Sequence, residues 1–286
     1  MNYYIIIPAY NEAPFITLTL DSIVSQTLLP KKVVVINDNS TDQTRAIVLG
    51  FVQKYSWITL VEKKSDAIHL PGSKVIQAFQ KGIETVDEHY DFIVKADADL
   101  IFPANYFETI SNHFQSDETI GMVGGFAYIE KNGNWILENL TDKDHIRGAF
   151  KAYRKAAFQK IGGLKAAMGW DTVDELLCQF YNWKVVTDAS LHVKHLKPTG
   201  ARYDKTSRYK QGEAFYTLGY GFLITCIASM KLAMMKKKPV LFFDYIKGFW
   251  KAKKAKKPLL VTPEQATFIR NFRFRKMKEK LFSGKY

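Results

Sequence analysis

The stretch from Asp91 to Phe102, DFIVKADADLIF, sets two carboxylates, Asp97 and Asp99, directly behind an apolar run. Phe92, Ile93 and Val94 read as a buried strand, so the pair falls at the strand's carboxyl end, where open α/β sheets form their ligand crevices. Side chains two apart on an extended backbone point the same way, and both carboxylates can therefore reach one cation. Hard oxygen ligands of this kind suit Mg²⁺ or Mn²⁺, which bridge to substrate phosphates. A solvated acidic turn is the alternative reading, and the strand-end position is what weighs against it.

Other side chains offer complementary chemistry. Asp38 follows the β-branched run KVVVI, and a carboxylate there can accept from an imide N–H of the kind uracil presents, or it can cap a turn. Lys74 opens a helical pattern, where charge and free backbone N–H groups together hold phosphate, although a solvated lysine fits as well. Glu12 either lines the same site or simply favours a helix amino terminus.

These groups need a sheet to hold them. Tyr3 to Ile7 is a β-branched run that stops at Pro8, and Asn11 can cap a helix with Pro14 in its first turn that continues through Leu18, Leu20, Ile23 and Val24. Lys32 to Ile36 gives a second strand, and the cluster Asn37-Asp38-Asn39-Ser40-Thr41-Asp42 turns the chain and caps a helix from about Gln43 to Tyr55. Ile58 to Glu62 reads as a third strand; Gly72 and Ser73 then precede a helix to about His89. Strand alternating with helix predicts an α/β fold with a mostly parallel central sheet covered on both faces. Further on, helices are expected from Pro103 to about Gln115, Lys155 to Ile161 and Asp171 to Tyr181. Strands are expected at Ile120–Val123, Arg147–Tyr153, Lys184–Thr187 and Leu191–Val193, the last leading to His195, and Pro198 and Gly200 mark an exit. The thirty or so residues after Gly125 show no clear period.

IPAYNE at Ile7 to Glu12, NDNSTD at Asn37 to Asp42, DAD at Asp97 to Asp99 and GWDTVDE at Gly169 to Glu175 occur in that order. Together they resemble the motifs of family two glycosyltransferases with the GT-A fold, inverting enzymes that use nucleotide sugars. The resemblance covers roughly residues 1 to 200. It implies that Asp38 binds the base, with Pro8, Ala9, Tyr10 and Glu12 forming the other wall of the base and ribose pocket. It also implies that Asp99 is the direct ligand of a Mn²⁺ or Mg²⁺ ion, and that Asp97 is a further ligand or a ribose contact. His195, in HVKHLKPTG, resembles the position of a third metal ligand; a structural histidine is the alternative. The family places its general base at the amino end of a helix, about eleven residues before a Gly-aromatic pair. Counting from Asp171 reaches Asn182-Trp183, with Asn in place of Gly, and Trp170 stands where many members have Glu. Asp174, one helical turn on, is the other candidate base, and in that case Asp171 caps the helix. Family acceptor pockets are built from the variable segment, here about 125 to 170. Processive relatives carry a Gln-x-x-Arg-Trp motif and several membrane spans, and this sequence has neither, so transfer of a single sugar is expected.

Charge divides the chain. Residues 1 to 230 carry 24 Lys and Arg against 25 Asp and Glu, whereas 231 to 286 carry 17 against 3, so the whole net charge of +13 belongs to the tail. Apolar stretches at Tyr216–Met235 and Val240–Phe249 precede lysine runs, a pattern that suits helices lying in the interface of an anionic membrane, the alternative being that the apolar stripes pack on the catalytic domain. No zinc spacing or RNP-like motif points to nucleic acid. Two distant cysteines, Cys178 and Cys226, suggest no disulfide framework, and MNYYIIIPAYNE does not read as a signal peptide. The expected organisation is a catalytic domain over 1–205, with nucleotide-binding and acceptor parts meeting near residue 100, and a basic helical tail over 206–286. Such a protein would be cytoplasmic and peripheral on the inner face of the cell membrane. Its partners would be a nucleotide-sugar donor, UDP before GDP, and a lipid-linked or cell-envelope glycan acceptor. A catalytically silent nucleotide-sugar-binding or scaffold protein is the rival from another class. A nucleotidyltransferase would want a Gly-rich, Arg-Lys amino-terminal loop, which IPAYNE is not.

Overall fold

The computed structural model describes residues 1–65, 72–138, 144–197 and 208–282. The β-branched runs become strands because they are buried on both faces, where branched side chains pack well. Strands β1 (Tyr3–Ala9), β2 (Lys32–Asp38), β3 (Ile58–Lys63) and β4 (Phe92–Ala96) are separated by helices α1 (Ile16–Val24), α2 (Thr44–Lys54) and α3 (Ser73–Ile83). They pair in parallel in the order β3-β2-β1-β4. Ile5, Ile6, Val34 and Val94 are fully buried, and Tyr3 stacks on Phe92 with ring centroids 4.8 Å apart.

Beyond β4 the parallel rule ends. The second half supplies β5 (Leu100–Ile101), α4 (Tyr106–Ser116), β6 (Ile120–Lys131), β7 (Asn134–Leu137), β8 (Phe150–Arg154), α5 (Lys155–Lys160), α6 (Trp170–Phe180) and β9 (Lys184–His195). Strand β8 enters antiparallel between β4 and β6, and the sheet continues through β9 to β5, with β7 on β6. The sheet is thus parallel in the first hundred residues and mixed after them. The two short strands expected at 184–187 and 191–193 are one strand that pairs with β6 in two segments. Between those segments Gly125 approaches β9 so closely that a Cβ there would sit 2.2 Å from the Leu191 carbonyl oxygen. Gly125→Ala is accordingly expected to cost about 1–3 kcal/mol of stability, as overpacking against backbone does, readable as an earlier midpoint in urea unfolding.

The chain divides into two compact units, Met1–Ala166 with Trp170–Thr199, and Ala167–Gly169 with Gly200–Tyr286. The expected exit at Pro198 and Gly200 and the boundary near 205 lie outside the described residues. The second unit holds α7 (Lys210–Thr217), α8 (Gly221–Met235), α9 (Val240–Lys254) and α10 (Pro263–Phe282). Helices α7 and α9 cross at Gly212 and Gly248, where a Cβ would lie 1.8 Å from the Tyr245 carbonyl oxygen and 2.1 Å from that of Tyr209. Among the described residues no helix is long and apolar enough to cross a membrane.

Candidate active site

Because β1, β2 and β4 are parallel neighbours in register, the segments that leave their carboxyl ends open on one edge of the sheet. Asp38 is the last residue of β2 at that edge and is almost buried. Its Oδ2 accepts from Ser65 Oγ at 2.7 Å, and Lys63 Nζ lies 3.6 Å from Oδ1, which receives no hydrogen bond from the described residues. A buried carboxylate oxygen without a donor is unfavourable unless a ligand supplies one.

The first two motifs interlock beside it. Thr41 N donates to Asn11 Oδ1 at 2.8 Å, Asn11 N to Ser40 Oγ at 3.0 Å, and Glu12 N to Thr44 Oγ1 at 2.8 Å. Asn11 and Asn39 adopt φ values of 53° and 60°, a left-handed conformation that asparagine accepts more readily than most residues. Asn11 therefore does not cap the first helix as its position suggested; α1 starts at Ile16 without a side-chain cap, because the Asn11 amide is engaged by the second motif. Pro8 and Ala9 end β1 opposite Ile36 and Asn37, and Tyr10 beyond them is exposed.

Glu12 turns toward the acidic motif. Both its carboxylate oxygens accept from Lys197 Nζ, at 2.6 and 2.7 Å. Burial raises its pKa and Lys197 opposes this, but the nearby charges of Asp99 and Asp97 leave it above the ordinary value. Asp99 is buried, with Oδ2 3.6 Å from His195 Nε2, and Leu196 N donates to the Asp99 carbonyl at 2.9 Å. The pairing of Leu100 with His195 across β5 and β9 brings the two together over ninety-five residues of sequence. Glu138 stands on the far side of the ring, its Oε2 3.7 Å from His195 Nδ1 and 3.0 Å from Arg147 Nη2. Burial disfavours the imidazolium of His195, yet Asp99 and Glu138 outweigh it and lift the pKa to about 9.

Asp97 lies two residues before Asp99 but has another partner, since its Oδ1 is ion-paired with the buried Lys95. Among the described residues no three His, Cys, Asp or Glu side chains are gathered as a metal-holding group; of the three expected ligands Asp97 faces Lys95, while Asp99 and His195 face each other. Asp99 and His195 do fit one ion by their donor chemistry: a carboxylate oxygen and an imidazole nitrogen 3.6 Å apart approach the roughly 3 Å separation of neighbouring ligands on one cation. Divalent ions that also bind substrate phosphates need few protein ligands.

The two candidate bases sit differently. Asp171 is in the first turn of α6, with its side chain 37% exposed. Asp174 is buried, accepting from Lys151 Nζ at 2.9 and 3.1 Å and from Tyr153 Oη at 2.6 Å. Burial pushes its pKa up to about 6 against the opposing charge of Lys151. An acceptor hydroxyl can approach Asp171 but not Asp174, whose oxygens face the interior. Glu175 is held by Lys151 Nζ at 2.9 Å and by His145 Nδ1 at 2.9 Å; burial works against its ionisation, but the Lys151 charge and these hydrogen bonds bring its pKa below the usual value. His145 Nε2 is 3.9 Å from Asp171 Oδ2.

Sequence reasoning missed the pair of lysines that joins these acidic groups. Lys95 of β4 faces Lys151 of β8 in register, both are buried, and both lie over the Trp170 ring, at 5.2 and 5.9 Å from its centroid. Lys95 holds Asp97, while Lys151 holds Asp174, Glu175 and the Asp171 carbonyl oxygen. Asp97 and the start of α6 are thereby connected through two side chains and one ring. The available signal was a lysine inside each of two strand patterns whose neighbouring positions are apolar, FIVKA and FKAYR, the second closing on Arg154. Lys74 sits at the amino end of α3, after Gly72 in the left-handed conformation. Its expected phosphate role borders on residues 66–71, outside the described set.

An uncharacterized glycosyltransferase of Mycoplasma pneumoniae, the MG025 homolog, is 35% identical over 177 residues, covering 57% of this chain and 56% of that protein. Its Mycoplasma genitalium counterpart is 30% identical over 138 residues, covering 48% and 43%. The chain thus spans about half the length of these relatives. Among solved structures, a mannosyltransferase from Pyrobaculum calidifontis in complex with GDP-Man and Mn²⁺ superposes with a TM-score of 0.59 at 18% identity, covering 96% of this chain and 80% of that one. Residues 1–349 of S. aureus TarS in complex with UDP-GlcNAc give 0.55 at 17% identity, covering 82% and 67%. These likenesses establish the GT-A-like α/β fold. Residues 4–167, more than half of the sequence, match the family described as Glycosyl transferase family 2, and the chain belongs to that family.

Proposed function

We propose that this protein moves a single sugar, with inversion, from a nucleotide-sugar donor to a hydroxyl of a lipid-linked or cell-envelope glycan. A UDP-sugar is the first choice of donor and a GDP-sugar the second. The observation that carries the reading is the contact path from Asp97 through Lys95, Trp170 and Lys151 to the Asp171 carbonyl oxygen, which ties the acidic motif at the end of β4 to the residue whose partly exposed carboxylate stands at the head of α6. Asp38 Oδ1, which has no hydrogen-bond donor among the described residues, supports a uracil-type donor, since it is an acceptor able to take an N–H at the edge where the base is expected. Solved structures of the same fold hold GDP-Man with Mn²⁺ and UDP-GlcNAc.

In this reading Asp171 takes the acceptor hydroxyl's proton as that oxygen bonds to the anomeric carbon. The bond from that carbon to the phosphate oxygen breaks, and its electron pair leaves with the diphosphate. Asp99 and His195 would hold a Mn²⁺ or Mg²⁺ ion, which when bound neutralises charge on the departing diphosphate. Pro8, Ala9, Tyr10 and Glu12 wall the base and ribose, Asp97 faces the ribose, and Lys74 helps hold phosphate. Residues 1–205 serve as the catalytic domain and the basic helices after them as a tail that associates with an anionic membrane, on the cytoplasmic face. That association motivates the acceptor class.

A thermal-shift panel of nucleotide sugars with and without Mn²⁺, followed by donor hydrolysis, tests the proposal. A UDP-sugar that both raises the melting point and is slowly hydrolysed supports it; binding without any hydrolysis or transfer would leave a silent binding protein instead. Asp38→Asn, which turns one acceptor oxygen into a donor, is expected to weaken UDP binding by roughly ten- to hundredfold, as loss of a charge-assisted hydrogen bond does, measured by titration calorimetry.

A further inference from the structure

We infer that the outer face of α8 and α9 inserts shallowly into an anionic phospholipid surface, an inference that rests on the membrane association proposed above and assigns it to named side chains. On α8, Leu223, Ile227, Met230 and Met234 are exposed at spacings of four, three and four, so they form one row along the helix. Leu223 and Met234 are 60% and 70% exposed. On α9, Val240, Phe243 and Trp250 are exposed in the same way, Phe243 at 69%. The rings of Phe222 and Trp250 meet at 5.4 Å and join the two rows. The opposite faces already supply the core of this unit through Ile224, Ala233, Tyr245, Phe249 and Ala252. The outer rows are therefore not needed for packing, and an apolar surface of this extent marks a site of interaction.

Charge selects the occupant. Between Gly221 and Lys257 the sole acidic residue is Asp244, which is buried and ion-paired with Arg208. Lys236, Lys237 and Lys238 form the turn between the helices, and Lys251, Lys253, Lys254, Lys256 and Lys257 crowd the far end of α9. Each lysine near an anionic bilayer adds to attraction, and an apolar row between two lysine clusters matches acyl chains bounded by anionic headgroups. At about 1.5 Å per residue a helix of the length of α8 falls short of a hydrocarbon core about 30 Å thick, so it lies along the surface. Duplex nucleic acid would match the lysines but leave the apolar rows in water.

The test is flotation of the full chain with vesicles of phosphatidylcholine alone and with added phosphatidylglycerol. Wild type is expected to float with the anionic vesicles only, and less as salt rises. Met230→Glu/Met234→Glu is expected to lower the partition coefficient by roughly tenfold or more per side chain, because each loses its immersed apolar area. Leu223→Ser/Phe243→Ser provides a second pair at independent positions, and unchanged melting curves verify that both pairs fold. If wild type stays unbound at low salt, the surface and the membrane association fall together. If wild type floats and both pairs float equally well, lysines alone adhere and only the insertion face is overturned. A concentration-dependent dimer that the Met pair dissociates, without vesicle binding, assigns the face to a second copy and overturns the lipid. Donor hydrolysis measured without vesicles is expected to stay at the wild-type rate in every variant, which keeps the catalytic reading separate.

Discussion

Asp171→Asn is expected to leave donor affinity at the wild-type value and to lower sugar transfer by about 10²–10⁴-fold, the range of a positioned general base. Asparagine keeps the size of the side chain and its place in the first turn of α6 but cannot take a proton. Nothing that touches Asp38, Asp99 or Glu12 changes, so UDP should stabilise the variant and the wild type alike. The measurement pairs thermal shift with UDP against single-turnover transfer. Turnover within a few-fold of wild type would remove Asp171 from the role. Asp174 offers no substitute for it, because both its oxygens are engaged by Lys151 and Tyr153 in the interior.

Lys151→Met should be the most destabilising single change in the first unit, at about 3–5 kcal/mol, the usual cost of leaving buried charges without their partner. Lys151 is fully buried, and its ammonium contacts Asp174, Glu175 and the Asp171 carbonyl oxygen. Burial disfavours that ammonium, but Asp174 and Glu175 outweigh it and raise its pKa, so it is charged throughout the working range. Without it the two carboxylates have folded-state pKa values above their unfolded ones, as Asp174 already has at about 6. A carboxylate of that kind weakens the fold where it must ionise and ceases to do so once protonated. The deficit of the variant relative to wild type should therefore shrink between about pH 7 and pH 5, in urea unfolding followed at both values. Adding Asp174→Asn should recover part of the loss, since a neutral amide can still pair with Tyr153. Equal deficits at both pH values would show that packing over Trp170, not charge, is what Lys151 supplies.

Most of the first hundred residues could be read directly. Runs such as KVVVI and FIVKA have one stable environment, a strand buried on both faces, and the turn cluster at Asn37 to Asp42 could only follow such a strand. The second half resisted because β8 enters the sheet between β4 and β6, out of sequence order and antiparallel to both. The inserted order follows from which edge is left open after β4 forms, and no local period records it. Asn11 shows the same limit at one residue. Its type suits a helix cap, yet a partner thirty positions away, Thr41, holds its side chain instead.

The sequence by itself determined the strand–helix alternation, the placing of Asp38 and Asp97 at strand ends, and the concentration of positive charge in the last fifth of the chain, because propensity, periodicity and composition act over a few neighbouring residues. Tertiary structure alone decided that Asp171 is reachable and Asp174 is not, that Asp99 meets His195, and that Lys95 and Lys151 stand together over Trp170. Burial and ion pairing depend on what the rest of the chain brings to a side chain, and the same carboxylate three residues along a helix can face solvent or the core.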